Sequence, residues 1–212
     1  IKSKSLITFN KNKYKLPMYS KNKLISESKL FLDWYLPKVL KKKKITKSKN
    51  ELNRIFINLY NRLKLEKNVF VHRDFHISNM MYYKKKIYLI DSQDAVYGNI
   101  TYDLASLIDD VRIKTSQNLK DKIFNLFINL NNSLDSNKVK NDFEILSVLR
   151  NLKIIGIFTR LAVRDGKKKY MKMIPYAWKM IEHRVSKNSC FEDLEQILNK
   201  YFSKKIRLKK WR

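Results

Sequence analysis

His72, Asp74, Asn79 and Asp91 are residues whose types and spacing can do chemistry together. Asp74 lies two positions after His72, Asn79 five after Asp74, and Asp91 twelve after Asn79. An aspartate beside an asparagine carbonyl is a hard-oxygen pair that suits magnesium. Magnesium takes one or two carboxylates and leaves its other positions to water and phosphate. That chemistry assigns Asn79 and Asp91 to the metal and leaves Asp74 to accept a proton from a substrate hydroxyl. A positioned hydroxyl, a nearby carboxylate and a metal against the phosphates are what phosphoryl transfer asks of a protein.

The elements around these residues must bring them together. Residues 69–71 are apolar β-formers that lead into the polar loop. A short apolar run follows at 80–83, then three lysines that read as a turn, then a second apolar run at 87–90 that ends on Asp91. Strand, loop and hairpin are predicted to deliver the two acids and the amide to one end of a small sheet.

The rest of the chain reads as helical. Residues 16–19 read as an extended or turn piece, because Pro17 keeps its predecessor out of the helical region. A helix is predicted from Ser20 or Asn22 to about Leu40, ended or kinked by Pro37. The lysine run 41–44 reads as a solvated loop. Ser48 and Glu51 match a capping box that opens a helix to about Glu66. Gly98 and Asn99 signal a turn, with Thr101 capping a helix over 102–112. Further helices are predicted over about 117–132 and 138–164, the second stopped by Asp165 and Gly166. Pro175 suits the first turn of the next helix, and a last one spans about 191–203.

Composition bounds the reading. In 212 residues, a hydrophobic content of 44% supports a packed core. Three glycines and three prolines favour long helices over many short strands. The net charge of +28 suits an anionic partner. Lysine, asparagine and isoleucine are abundant together, however, and the lysines are spread along the chain. This favours compositional bias over nucleic-acid binding. The single Cys190 fits a reducing compartment, and no run approaches the ~20 apolar residues of a membrane span. These features lead to the expectation of a cytoplasmic protein that does not bind membranes. They do not specify an oligomeric state.

The motif His72-Arg73-Asp74-Phe75-His76-Ile77-Ser78-Asn79, followed by Ile90-Asp91, resembles the catalytic loop and metal-binding aspartate of the aminoglycoside phosphotransferase and choline kinase-like family. That family shares the protein kinase-like fold. The runs Ile90-Asp91-Ser92-Gln93-Asp94-Ala95 and Tyr102-Asp103-Leu104-Ala105-Ser106-Leu107 are similar to those of the cell-wall amino-sugar kinases. So are Gly156-Ile157-Phe158-Thr159-Arg160-Leu161 with Arg164-Asp165-Gly166-Lys167, and Leu30-Phe31-Leu32-Asp33-Trp34-Tyr35. Those kinases phosphorylate the anomeric hydroxyl of N-acetylmuramate or N-acetylglucosamine.

The resemblance implies an α+β, mostly helical fold, the large C-terminal lobe of a kinase with a small hairpin at its catalytic loop. It implies ATP and a sugar as substrates and Mg2+ as cofactor. Asp74 matches the catalytic base, Asn79 and Asp91 the magnesium ligands, and His72 and Asp103 the residues that brace the loop. Position 92 departs from the group, with serine where an aromatic is common. No glycine precedes Gly98, so no glycine-rich phosphate loop is recognisable, nor a strand lysine with its helix glutamate. The expected division is an interlobe linker remnant at 1–21, the large lobe at 22–203 and a basic, frayed tail at 204–212, with the small lobe missing.

The same residues admit other chemistry. His72, Asp74 and His76 imitate a zinc hydrolase cluster, but the only other histidine is the distant His183. His76 reads as a loop residue near substrate or as a simply packed one. Arg160 and Arg164 share a helical face and offer to hold a sugar or phosphate, against an ordinary ion pair with Asp165. Asp94 is a second acid near the metal or a solvated loop acid. Tyr97 and Tyr102 are candidates for substrate contact. Aminoglycoside, choline or a related alcohol is the alternative acceptor, and a non-catalytic basic lobe that binds nucleic acid or a protein is the alternative class.

Overall fold

The structure, a computed structural model, describes residues 5–7, 11, 13–209 and 211. Parts of the predicted linker remnant (1–4, 8–10 and 12) and of the predicted tail (210 and 212) lie outside the described residues. In chain order the elements are β1 (Ser5–Ile7), β2 (Lys13–Lys15), α1 (Lys21–Leu30), α2 (Leu36–Val39), α3 (Lys42–Asn61), β3 (Lys67–Val71), β4 (Met80–Tyr83), β5 (Lys86–Leu89), β6 (Val96–Asn99), α4 (Thr101–Ile108), α5 (Gln117–Leu130), α6 (Ser136–Val163), α7 (Ile174–Val185), α8 (Glu192–Tyr201) and α9 (Lys204–Arg207). Helix dominates, beside antiparallel strand pairs, as the expected α+β class requires. Two units divide the chain. One is built from residues 1–20 and 63–146, the other from 21–62 and 147–212.

The first unit carries the loop of interest. β3 does not share a sheet with the hairpin, contrary to the expectation of one small sheet. It pairs with β6, with Phe70 opposite Tyr97 and Val71 opposite Val96. The Gly98-Asn99 pair, read as a turn, lies inside that strand. On its other side, the Tyr97 N–H donates to the Pro17 carbonyl and its carbonyl accepts from Tyr19 N–H, both at 2.9 Å. Gly98 is there for space: a Cβ would lie 3.2 Å from both Tyr19 Cβ and Val71 Cγ2.

Asn99 caps α4 where Thr101 was expected to. Its Oδ1 accepts the Thr101 N–H at 2.9 Å and the Thr101 hydroxyl at 2.8 Å. Its Nδ2 donates to Asp142 at 2.6 Å. Asp142, fully buried on α6, also accepts the backbone N–H of Lys64 and Leu65 at 2.8 and 2.9 Å. One carboxylate thus ties the approach to β3 to the exit from β6. Leu104, Ala105 and Ile108 of α4 pack with Phe143 of α6, against Phe124 and Phe127 of α5.

In the second unit the predicted helix to Leu40 is one continuous run with a wide turn inside it. Residues Phe31–Tyr35 are π-helical, and the Leu36 N–H closes on the Phe31 carbonyl. Pro37 follows directly and lacks an N–H, so the widened turn admits it without a break. The lysine run 41–44 is not a loop, since α3 begins at Lys42. Nor does Ser48 cap. Its hydroxyl donates back to the Lys44 and Ile45 carbonyls at 2.8 and 3.0 Å. A serine that bonds its own helix imitates a cap in sequence.

Phe31, Tyr35, Trp178 and Phe202 form the aromatic core of this unit, with ring centroids 5.2–6.0 Å apart. Trp178 Nε1 donates to the Tyr35 hydroxyl at 3.0 Å, and burial pushes the Tyr35 phenol well above its usual range. The predicted frayed tail is partly built in. Arg207 is buried, lies over the Trp178 ring and donates to Glu182 at 2.8 Å. Gly166, at φ +68°, turns the chain after α6, as the Asp165-Gly166 signal predicts. Among the described residues no helix is long and apolar enough to cross a membrane.

Candidate active site

β3 delivers His72 to the start of the loop. The Asp103 carboxylate, in the first turn of α4, accepts the backbone N–H of His72 at 2.7 Å and of Arg73 at 3.0 Å. Arg73 takes a left-handed backbone, φ +72°. A non-glycine residue there costs about 1–2 kcal/mol. The two Asp103 bonds hold that conformation, and so does the Arg73 side chain. Its guanidinium donates to the Asp94 carbonyl at 3.0 Å and sits over the Tyr19 ring. Beyond Asp74, the His76 N–H donates to the Asp74 carbonyl at 3.0 Å. A 3₁₀ turn over Ile77–Asn79 then closes as the Asn79 N–H reaches the His76 carbonyl at 2.9 Å.

The Asn79 side chain is where the three predicted residues meet. Its Nδ2 donates to the Asp74 backbone carbonyl at 3.0 Å and lies 3.5 Å from Asp91 Oδ2. A carbonyl can only accept, so the amide orientation follows and Oδ1 is left as the side chain's acceptor atom. The hairpin returns the chain to this point. Lys84 and Lys85, at φ +46° and +60°, form a two-residue turn that usually takes asparagine or glycine. The Ile90 N–H donates to the Asn79 carbonyl at 3.1 Å, and the His72 ring Nε2 lies 3.0 Å from the Ile90 carbonyl. Nε2 must therefore carry the proton, and His72 pins the end of the hairpin to the start of the loop.

Asp91 follows, exposed and left-handed at φ +69°, with one oxygen accepting from Gln93 Nε2. Asp74 is half-buried, and its carboxylate accepts no hydrogen bond from the described residues.

Among the described residues no three His, Cys, Asp or Glu side chains gather as metal ligands. The zinc reading has no support in this geometry, because His72 is engaged with a carbonyl and His76 is buried. The donor set that the two side chains offer is one amide oxygen and one carboxylate, although the Asn79 atom that faces Asp91 is Nδ2. It fits a hard divalent ion that keeps water and phosphate oxygens as its other ligands.

The other candidates fall elsewhere. Asp94 is exposed, and its nearest charged partner is Arg73 at 3.7 Å, so it is a loop acid. His76 is 6% exposed and offers little surface to a substrate. Tyr97 and Tyr102 are core residues, Tyr102 edge-on to Tyr19. Arg160 and Arg164 belong to the second unit. Arg164 is exposed and makes two bonds to Asp165, 2.6 and 3.0 Å, and the guanidinium holds that carboxyl below its usual range. This is the ordinary ion pair. Asp142 leaves no local signal in the sequence, because its partners Lys64, Leu65 and Asn99 lie more than forty residues away.

Asp103 offers a direct test of the bracing. Asp103→Ala strips the acceptor from two backbone N–H groups and is expected to lower unfolding stability by about 2–3 kcal/mol. Urea denaturation reads this, and a midpoint equal to that of the wild type would reject the brace.

Comparisons with known proteins bear on these residues. The phosphotransferase enzyme family matches residues 19–129, which include every residue of the loop, the hairpin and α4. The N-acetylmuramate/N-acetylglucosamine kinase of Neisseria meningitidis serogroup B is 32% identical over 169 residues, 76% of this chain and 50% of the relative. The protein of that name from Pseudomonas aeruginosa is 30% identical over 191 residues, 86% of this chain and 56% of the relative. The one from Pseudomonas putida is 28% identical over 190 residues, with the same two shares. The chain spans about half the length of the curated relatives it matches.

Proposed function

Because the chain belongs to the phosphotransferase enzyme family, an enzyme family that transfers phosphate, we propose that it moves the γ-phosphoryl group of ATP to the anomeric hydroxyl of N-acetylmuramate or N-acetylglucosamine, in the cytoplasm and in peptidoglycan recycling. The observation that carries this reading is the Asn79 side chain, bonded to Asp74 and 3.5 Å from Asp91. The names of the relatives supply the sugar.

In this reading Asp74 orients the sugar hydroxyl and takes its proton as the new P–O bond forms. Its carboxylate has no partner among the described residues to displace first. Asn79 and Asp91 hold magnesium. When bound, the ion neutralises charge on the phosphates. His72 and Asp103 keep the loop at its station, and the net charge of +28 draws anionic nucleotide toward the protein.

We also read the chain as the large lobe of a two-lobed kinase. The hairpin supports this. Met81, Tyr82, Tyr83, Ile87, Tyr88, Leu89 and Ile90 are 44–74% exposed, on both faces of a two-stranded ribbon. Such a ribbon is marginal alone in water, and a contiguous apolar surface of this kind calls for a covering partner. A nucleotide-covering small lobe would sit there, beside the metal ligands at the hairpin's base.

The test is phosphorus NMR of either sugar incubated with ATP, Mg2+ and the complete gene product. A sugar 1-phosphate is expected. Phosphate on an aminoglycoside or choline instead would transfer the reading to those acceptors, and no phosphorylated product from any of them would reject it. The 212-residue chain alone should turn over far more slowly; equal rates would reject the two-lobe reading.

A further inference from the structure

Asp110 is a buried acid that the phosphotransfer reading does not use. It stands two residues past the end of α4, with its side chain 1% exposed. One carboxylate oxygen accepts the Arg112 N–H and Arg112 Nη1, both at 3.1 Å. The other accepts the backbone N–H of Ile77 at 3.3 Å. Ile77 opens the 3₁₀ turn that ends on Asn79. The loop is therefore gripped twice from the α4 segment. Asp103 holds its start through residues 72 and 73, and Asp110 holds its end through residue 77.

We propose that Asp110 is a positioning residue: it anchors the Ile77–Asn79 turn so that the Asn79 amide faces Asp91. The proposal rests on the reading of Asn79 and Asp91 as the metal pair. A carboxylate is needed because it serves three N–H donors on two segments at once, which a neutral amide with one oxygen cannot do. Arg112 places a guanidinium 3.1 Å from the buried carboxylate and pairs its charge.

The consequence is a divalent-ion site whose affinity depends on a residue that does not touch the ion. Groups of this kind typically carry about 10–100-fold in metal affinity. A change at Asp110 also removes a negative charge near the site, and that alone would weaken a cation. Ile77→Pro separates the two effects. It deletes the donated N–H, trades the 44% exposed Ile77 side chain for a ring, and leaves Asp110 and Arg112 intact. Proline suits this position, because Ile77 is the first residue of the turn and His76 before it is extended, at φ −143° and ψ 165°.

The experiment uses the 212-residue chain and Mn2+ alone as the probe, read by electron paramagnetic resonance, with amide hydrogen exchange at Ser78 and Asn79 read by NMR. Asp110→Asn and Ile77→Pro should each weaken Mn2+ about tenfold or more and speed exchange at the Asn79 amide. In the Ile77→Pro background, Asp110→Asn should add about twofold or less, since contacts acting through one bond are not additive. Unchanged exchange and unchanged affinity in Ile77→Pro would overturn the proposal, as would an Asp110→Asn effect of equal size in both backgrounds. If Asp110→Asn fails to fold, Ile77→Pro carries the test by itself. Failure of the underlying site reading looks different: Mn2+ binding is then absent in the wild type, or survives Asp91→Ala.

Discussion

Asp74→Asn in the complete gene product is expected to cut sugar phosphorylation by about 10²–10⁴-fold, the usual worth of a positioned general base. The substitution keeps the size and shape of the side chain, but it replaces one acceptor oxygen with an NH2 donor and removes both the negative charge and the ability to accept a proton. The backbone carbonyl of residue 74, which receives the Asn79 amide, is untouched, so the metal pair should stay in place. Nucleotide KM should then be nearly unchanged while kcat falls. That split separates a base from a residue that merely shapes the pocket. Steady-state kinetics with varied ATP reads it. A variant with wild-type turnover would remove Asp74 from the chemistry, and a parallel loss of nucleotide affinity would make it a binding residue.

Gly156→Ala is expected to be among the most damaging single-methyl additions in the protein. Gly156 lies within α6, where alanine is ordinarily the better helix former by about 1 kcal/mol. Here the sign reverses. A Cβ at this position would lie 2.5 Å from the Leu30 carbonyl oxygen and against the Leu30 and Phe31 backbone, at the junction of α1 with the π-helical turn. Ordinary contact between such atoms is about 3.5–4.0 Å. No side chain can rotate away, because backbone is what stands in the path. The helices must part by about 1 Å, which disturbs Phe31 and the aromatic core it belongs to. A loss of about 3 kcal/mol or more follows, the upper range for overpacking. For a chain of this length that is roughly a 6–12 °C fall in Tm. Thermal melting within a degree or two of wild type would show that α6 and the Leu30–Phe31 backbone are not packed in this way.

These two residues mark how far the sequence could be read. The Asp74, Asn79 and Asp91 set was legible because loop chemistry is local. A short strand, a polar loop and a hairpin of the right length bring those positions back to one place, whatever packs beneath. Gly156 was legible as part of a motif, but its reason was not, since the atoms it makes room for lie more than a hundred residues away. Ser48 and Gly98 misled for a related cause. Each carries a strong local signal, a cap and a turn, that its surroundings override: Ser48 bonds back into its own helix, and Gly98 packs against Tyr19 and Val71. Ser48 sits inside a helix whose start was masked by a lysine run, and Gly98 sits in a strand held by Tyr19 and Val71.

Local residue order determined the helical content, the hairpin with its lysine turn and the helix stop at Gly166, because periodicity and turn chemistry act over a few residues. Only the tertiary structure decided that β3 joins β6 rather than the hairpin, that Asp94 answers Arg73, that Arg164 answers Asp165, and that Asp103, Asp110 and Asp142 hold backbone rather than ligand. A carboxylate looks the same in sequence whether it meets a metal, a guanidinium or a row of N–H groups. Its partner is set by which segments pack around it, and the chain settles that only when it folds.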